Sequence, residues 1–403
     1  MRKSLKIVYI IGRFPPVYGG GGNVEISRNK ELVKRGHQVF FITPRYESVH
    51  PKFEDYQGIK VFRVYPALKG PISEIFYVLN SFVKMILMGI HPDLIVDCIP
   101  YGNSMIITNF FSKLLKIPVV ARLTQTGANE PSSAVTSKFG WIRKKYFSMY
   151  QSTIAISPDL VSNCLKAGIS SDRVQLIPDC VDTDKFAPIS QAEKLGLKKQ
   201  LFPNHQGSIV LIVGNVSKRK RSHLAIEAWK VLVSKYKAQA TLVFVGPIRS
   251  SGHPFDEEYV ERLREKIHEY GLYDSVVLTG FQSNVHEYYQ VSDMTLFVSE
   301  REGLPGVVLQ SMSSEVPVVT TDIPNVSEYM LTDGIEGFIT SDDPEEVAER
   351  TIALLSNPDL RLSMGKNARQ NVLERFGIER NTDVVEQLFL SVAVGQAKFL
   401  IHD

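Results

Sequence analysis

The sequence predicts an α/β protein made of two successive, doubly wound domains with parallel sheets. Three observations carry this reading. Short apolar runs recur along the chain, each followed by a glycine- or proline-rich turn and then a stretch of helical periodicity. The pattern restarts at Ile209-Val210-Leu211-Ile212-Val213, after a polar segment, 187–207, that holds Pro188 and Pro203. At 403 residues, the chain is also too long for one ordinary core.

Composition narrows the class. A hydrophobic share of 44% and a charged share of 22% are those of a globular protein. Cys98, Cys164 and Cys180 have no metal-ligand spacing and leave an odd count, which fits the reducing cytoplasm. The apolar run after Met1-Arg2-Lys3-Ser4 is short and ends in Arg13-Phe14-Pro15-Pro16 without a small-residue cleavage site, so it reads as a first strand. The most apolar later window, 75–90, contains Asn80 and Lys84 and is too short to span a bilayer. The net charge of +3 conceals an asymmetry: residues 1–185 carry 24 Lys and Arg against 14 Asp and Glu, the remainder 22 against 29. A basic first half expects an anionic partner, such as an inner membrane surface or a lipid-linked phosphate. Nucleic acid is disfavoured because no binding motif accompanies the charge.

In the first half, strand 5–11 leads into Pro15-Pro16 and the run Gly19 to Gly22. These glycines are expected to form a loop whose N–H groups, at Gly20, Gly21 and Gly22, approach a ligand. The following helix ends at Lys34-Arg35-Gly36, a basic last turn and a glycine cap. The spacing is not the dinucleotide fingerprint, and no acidic residue ends strand 38–43. Further strands are expected at 60–65, 93–97, 117–123, 152–156 and 173–177, with helices at about 73–89, 103–116 and 158–167. Segment 138–150 interleaves Lys and Arg with aromatics and has two readings, a membrane-surface helix or a solvated basic face. Asp182-x-Asp184 is either a metal carboxylate pair or a turn in which aspartate bonds its own backbone; the neighbouring Lys185 favours the turn.

The second half concentrates the chemistry. After strand 209–213 come Gly214-Asn215-Val216-Ser217 and four cations, Lys218 to Arg221, before a helix with Leu224, Ala225, Ala228, Trp229, Leu232 and Val233 on one face. Cations at a strand's carboxyl end suit phosphate: arginine grips it bidentately and lysine acts as a point charge. Strand 241–246, helix 256–270 and strand 275–279 follow, then Gly280-Phe281, where a base could rest. The central stretch is 296–312, entered from the apolar run 294–298. An apolar strand meets the turn Glu302-Gly303-Leu304-Pro305-Gly306, and Val307 opens a helix. Ligands of open parallel sheets bind at that kind of place, and free N–H groups at a helix start attract phosphate. Strand 316–320, a loop to Glu328 and tail helices at 344–356, 358–376 and 379–395 complete the chain.

Taken in order, these residues resemble the retaining glycosyltransferases of the GT-B fold, the group 1 class in family four. Pro15-Pro16 with Gly19 to Glu25, Arg35-Gly36-His37, Ile177-Pro178-Asp179-Cys180-Val181-Asp182, Gly214 to Lys220, Gly280-Phe281, Ser292-Asp293, Glu302 through Gln310, Glu328 and Gly337 all fit the family pattern. The resemblance implies two Rossmann-like domains facing a central cleft, with the C-terminal helix returning to the first. The implied division is 1–187 for acceptor binding, 188–207 as linker, 208–378 for the nucleotide sugar and 379–403 as the returning helix.

It further implies metal-independent transfer of a hexose from a nucleotide-diphosphate sugar to a glycan, lipid-linked or small-molecule acceptor, with no other cofactor. Glu302, Lys220 and Arg219 would be the catalytic set. Gly20, Gly21, Gly22, Gly214, Asn215, Phe281, Gly303, Leu304, Pro305, Gly306, Val307, Val308 and Gln310 would hold the donor, and Arg122, Thr124 and Glu130 would face the acceptor. Three positions depart from the pattern. Gln310 replaces the second signature glutamate, Asn215 a clamp arginine, and Thr124 an acceptor-side histidine. These departures keep open a non-catalytic sugar-nucleotide binder, and the fold also serves sugar-nucleotide epimerases and phosphorylases.

Overall fold

In the computed structural model, which describes residues 4–17, 20–65, 70–100, 104–124, 131–136, 140–203, 207–248 and 256–395, the apolar runs form two separate sheets. The chain divides into a first unit, residues 1–179 with 378–403, and a second, residues 180–377.

The first unit's strands are β1 (Lys6–Ile10), β2 (Gln38–Pro44), β3 (Phe53–Tyr56), β4 (Ile59–Val64), β5 (Leu94–Asp97), β6 (Val119–Leu123), β7 (Ser152–Ala155) and β8 (Val174–Leu176). Their order in the sheet is β3-β4-β2-β1-β5-β6-β7-β8. Every pairing is parallel except β3 with β4. Ile7 to Ile10 and Val39 to Pro44 are wholly buried, because helices cover both faces of a parallel sheet. The sheet order reverses between β1 and β5. β3 has no apolar run to announce it. A tight turn creates it, with Gln57 at φ 57° and Gly58 at φ 88°, and Asp55 accepting from the Gly58 N–H at 2.8 Å.

Helix Ile378–Ala393 belongs to this unit, as expected. Val385, Leu388, Phe389 and Val392 lie in the same core as Ile7, Tyr9, Leu94 and Val96. Burial of each such side chain contributes roughly 1.5–3 kcal/mol, so the helix is part of the core, not an appendage. Polar contacts fix its register: Arg28 Nε donates to Asn381 Oδ1 at 2.9 Å, and Glu386 meets both Arg35 at 2.8 Å and His37 at 3.1 Å. Burial works to raise the Glu386 pKa, but these two partners outweigh it and hold the carboxylate below its usual range.

The second unit contains β9 (Ser208–Val213), β10 (Ala240–Val245), β11 (Val276–Leu278), β12 (Met294–Phe297), β13 (Val318–Thr321) and β14 (Gly337–Thr340), in the order β11-β10-β9-β12-β13-β14. All pairings are parallel. Helix Ser222–Ser234 buries Leu224, Ala225, Ala228, Trp229 and Leu232, as the 3.6 period predicts, while Val233, at the edge of that face, is only partly buried. Segment 188–207 departs from its reading as a bare linker. It contains helix Gln191–Leu201, started by a capping box in which Ser190 and Glu193 satisfy each other's backbone N–H groups. The helix buries none of its residues, hence its polar composition. Lys194 donates to the Ser292 carbonyl at 2.8 Å and Phe202 meets Tyr288 edge-on, which ties the segment to the second unit. Among the described residues, no helix is long and apolar enough to cross a membrane.

Candidate active site in the second unit

The sheet order of the second unit reverses between β9 and β12, so a crevice opens where the loops after these strands diverge. Glycines make it possible for the loops to lie close. Gly214 follows β9 at φ 132°, a conformation that side chains rarely adopt. Gly246 follows β10, and a Cβ on it would stand 1.9 Å from the Gly214 carbonyl oxygen. The Gly214 N–H donates to Val245 O at 2.9 Å and the Gly246 N–H to Gly280 O at 3.0 Å, so the exits of β9, β10 and β11 are tied in a row.

The loop after β9 then meets the loop after β12. The Glu300 N–H donates to the Arg219 carbonyl at 2.9 Å. Arg219 Nη1 reaches Glu302 Oε1 at 2.5 Å, Lys220 Nζ reaches the same oxygen at 2.7 Å, and Ser299 Oγ donates to it at 2.8 Å. Among the described residues Oε2 has no partner, so the carboxylate is anchored by one oxygen and presents the other. Lys220 also stands over the Phe297 ring at 4.9 Å, a cation–π contact. Lys220 and Glu302 are 16% and 15% exposed, Arg219 45%: the pair sits inside the crevice and the arginine at its lip. Burial pushes the Lys220 ammonium below its ordinary pKa, with Glu302 opposing. Burial pulls Glu302 upward, but Lys220 and Arg219 outweigh it, and its pKa is lowered. The four expected clamp cations do not act as one set. Arg221 takes a left-handed conformation at the helix start and pairs with Asp342, while Lys218 is exposed.

On the other wall, Gly303, Leu304 and Pro305 are buried and helix Gly306–Ser313 begins without a side-chain cap. Val308 already donates its N–H to the Pro305 carbonyl at 3.0 Å, so the N–H groups left without intrahelical partners in this first turn are those of Gly306 and Val307, and Val308 does not offer its own as was expected. Tyr289, fully buried, sets the next turn. Its hydroxyl lies 2.9 Å from the Val307 carbonyl and 3.3 Å from the Gln310 side-chain oxygen position. A phenol has one proton, and the shorter contact takes it. The phenol oxygen can then accept from the Gln310 amide N–H₂, which turns the amide oxygen away from Tyr289. Gln310 thus retains an acceptor where the family signature has a carboxylate. Phe281 is 43% exposed and Asn215 exposed, both on loops at the same sheet edge.

The residues expected in the first unit fare differently. Gly20, Gly21 and Gly22 are not a loop: they are the first turn of helix Gly20–Lys34, and a Cβ on Gly22 would meet the Arg13 carbonyl at 3.1 Å. Arg122 does not face an acceptor. It is 2% exposed, with Nε 2.6 Å from Glu25 and Nη2 2.5 Å from Asp179, and Arg28 meets Glu25 at 2.8 Å. Its guanidinium is consumed in a buried ion cluster. Thr124 is half-buried just beyond β6, and Glu130 lies outside the described residues. Asp182 accepts from the Lys185 N–H at 3.0 Å, which is the turn reading. Among the described residues, no group of three His, Cys, Asp or Glu side chains is placed to hold a metal ion. Ser299 and Tyr289 were not anticipated as site residues. Ser299, three residues before Glu302, had a local signal; Tyr289 had none.

Comparison with known proteins gives the family. Residues 194–371 match the model of the glycosyl transferases group 1, and residues 18–185 that of glycosyltransferase family 4. The chain belongs to the group 1 glycosyltransferases of the GT-B fold. N-acetyl-alpha-D-glucosaminyl L-malate synthase of Bacillus anthracis is 25% identical over 94% of this chain and 95% of its own length. Among solved structures, HepE of Anabaena in complex with UDP and glucose superposes with a TM-score of 0.77 at 19% identity, covering 96% of this chain and all of that one. Sucrose-phosphate synthase of Thermosynechococcus elongatus does so at 0.81 and 19%, covering 97% and 100%.

Proposed function

We propose that the protein transfers a hexose from a nucleotide-diphosphate sugar to a glycan, lipid-linked or small-molecule acceptor, with retention of configuration and without a metal ion. One observation carries the reading: Lys220 and Arg219 converge on Glu302 at the reversal of the second sheet, opposite an uncapped helix start. The leaving diphosphate gains negative charge as the glycosidic bond breaks. Lys220, Arg219 and the N–H groups of the turn at Gly306 and Val307 stabilise that charge, in the place where a divalent cation would otherwise neutralise it. Glu302, anchored through Oε1, offers Oε2 to sugar hydroxyls and fixes the ring for attack. Gln310, oriented by Tyr289, accepts from ribose hydroxyls, and Phe281 lies under the base. The donor assignment is supported by UDP and glucose in the HepE structure, and the acceptor assignment by the basic balance of residues 1–185.

A thermal-shift screen of nucleoside diphosphates and their sugars, run in a metal chelator, identifies the donor, because a ligand of the folded state raises the melting temperature. Proton NMR of the product then reads the anomeric configuration. An inverted product, or a strict requirement for a divalent ion, defeats the mechanism. A non-catalytic binder of the same donor is favoured by Gln310, Asn215 and Thr124. It predicts a thermal shift without release of nucleoside diphosphate when acceptor is present.

A further inference from the structure

Two adjacent helices of the first unit are patterned against ordinary expectation. Helix Pro71–Leu87 turns Tyr77, Val78, Phe82 and Met85 into the core, yet its outer stripe is also apolar. Ile86 is 54% exposed and Leu87 77%. Helix Ser104–Leu115 is inverted. Its buried positions are largely polar (Ser104, Thr108, Asn109 and Ser112), while Phe110 and Leu114, one turn apart, are 57% and 64% exposed. Phe82 stacks on Phe111 at 4.9 Å, so the two helices lie side by side and their apolar stripes adjoin. Asn109 bonds the Tyr146 carbonyl at 3.3 Å, which brings helix Gly140–Phe147, with Trp141 72% exposed, alongside. A solvated helix face is polar; one that is apolar all round has an apolar neighbour.

We propose that this face seats the first unit on an anionic lipid surface. Charge selects the occupant. Across the three helices Lys84, Lys113, Arg143, Lys144 and Lys145 stand against Glu74 alone, and Lys116 follows directly. Apolar side chains enter the acyl boundary while lysines remain at the headgroups, the arrangement of an interfacial amphipathic surface. A second copy of the chain docking through the same patch would bring two positive rims together, which disfavours it. The surface differs from segment 138–150 alone, since the apolar contribution comes from helices earlier in the chain. The inference deepens the proposed function by assigning the lipid-linked acceptor's own membrane as partner. It rests on that reading only for the choice of acceptor.

The test is co-sedimentation of the full chain with vesicles of phosphatidylcholine alone or mixed with phosphatidylglycerol. The expected result is binding to the anionic vesicles at least roughly tenfold stronger than to the neutral ones, weakened by salt. Leu87→Glu combined with Phe110→Glu, both at exposed positions, should reduce binding by about tenfold or more with an unchanged melting temperature. Lys113→Glu with Lys116→Glu should lose the preference for anionic lipid. Absence of binding to anionic vesicles overturns the proposal, as does binding that the apolar variant leaves intact. A dimer in light scattering that the same variant dissociates also overturns it, in favour of a second copy. Nucleotide-sugar thermal shifts on these variants are expected to match wild type. A failed donor screen with intact vesicle binding would therefore sink the transfer reading and leave this surface standing.

Discussion

Lys220→Ala separates the two tasks that the structure gives this lysine. Its ammonium lies 2.7 Å from Glu302 Oε1 and 4.9 Å from the centre of the Phe297 ring. In the variant, Glu302 keeps Arg219 at 2.5 Å and Ser299 at 2.8 Å on the same oxygen. The loss of stability should therefore be about 1–2 kcal/mol, short of the roughly 3–5 kcal/mol expected when a buried charge is left wholly unpaired. The transition state loses more. A cation beside the departing diphosphate is comparable to an oxyanion-hole donor, on the order of 2–4 kcal/mol, or about 30- to 1000-fold in kcat. The assay is nucleoside diphosphate release at saturating donor, with thermal melting run alongside. Turnover within about threefold of wild type, together with a lowered melting temperature, would refute the clamp and leave Lys220 as a partner of Glu302 only. A cycle with Glu302→Gln sharpens the decision. If Lys220 acts solely by holding Glu302, the double variant is no slower than the slower single one.

Three further outcomes are expected. Gly246→Ala places a methyl group 1.9 Å from the Gly214 carbonyl oxygen and should displace the β9 loop, abolishing the nucleotide-induced thermal shift; Gly196→Ala, with nothing within 4 Å, should bind normally. Arg122→Met strips the shared cation from Glu25 and Asp179 and should cost about 3–5 kcal/mol in denaturant unfolding. Burial lifts Asp97 from 3.8 to about 6, against hydrogen bonds from Tyr150 and the Ile99 N–H. Its ionised form is thus penalised in the folded state, so this group's contribution to stability is greatest below about pH 4 and is lost as pH rises through about 6. Asp97→Asn should flatten that fall in pH-dependent melts and gain up to roughly 3 kcal/mol at pH 8.

The sequence was most informative where local pattern and burial coincide. Strands buried on both faces of a parallel sheet must be continuous apolar runs, so β1, β2, β9, β10 and β12 were visible as such. Gly214 and Glu302 were visible because a strand exit followed by a helix start restricts composition. Partner choice across the chain was not visible. Nothing local distinguishes Arg122, whose partners are 97 and 57 positions away in sequence at Glu25 and Asp179, from an arginine facing a ligand. Helix Gln191–Leu201 resembled a linker because it buries no residue, although Ser190 and Glu193 had the spacing of a capping box. Gly20 to Gly22 suggested a loop because glycine is a poor helix former; the start of a helix tolerates it, since the first N–H groups have no intrahelical partner to lose.

Helix Ile378–Ala393 fills the core of a unit whose other residues end at Asp179. A ribosome therefore delivers that core in two instalments, with the whole uninterrupted stretch Cys180–Gly377 emerging between them. The half numbered second can reach its native packing while the half numbered first still lacks Val385, Leu388 and Phe389. Completion of the two cores during synthesis therefore runs against the numbering, and stop codons upstream of this helix spare the second unit while leaving the first with an open seam.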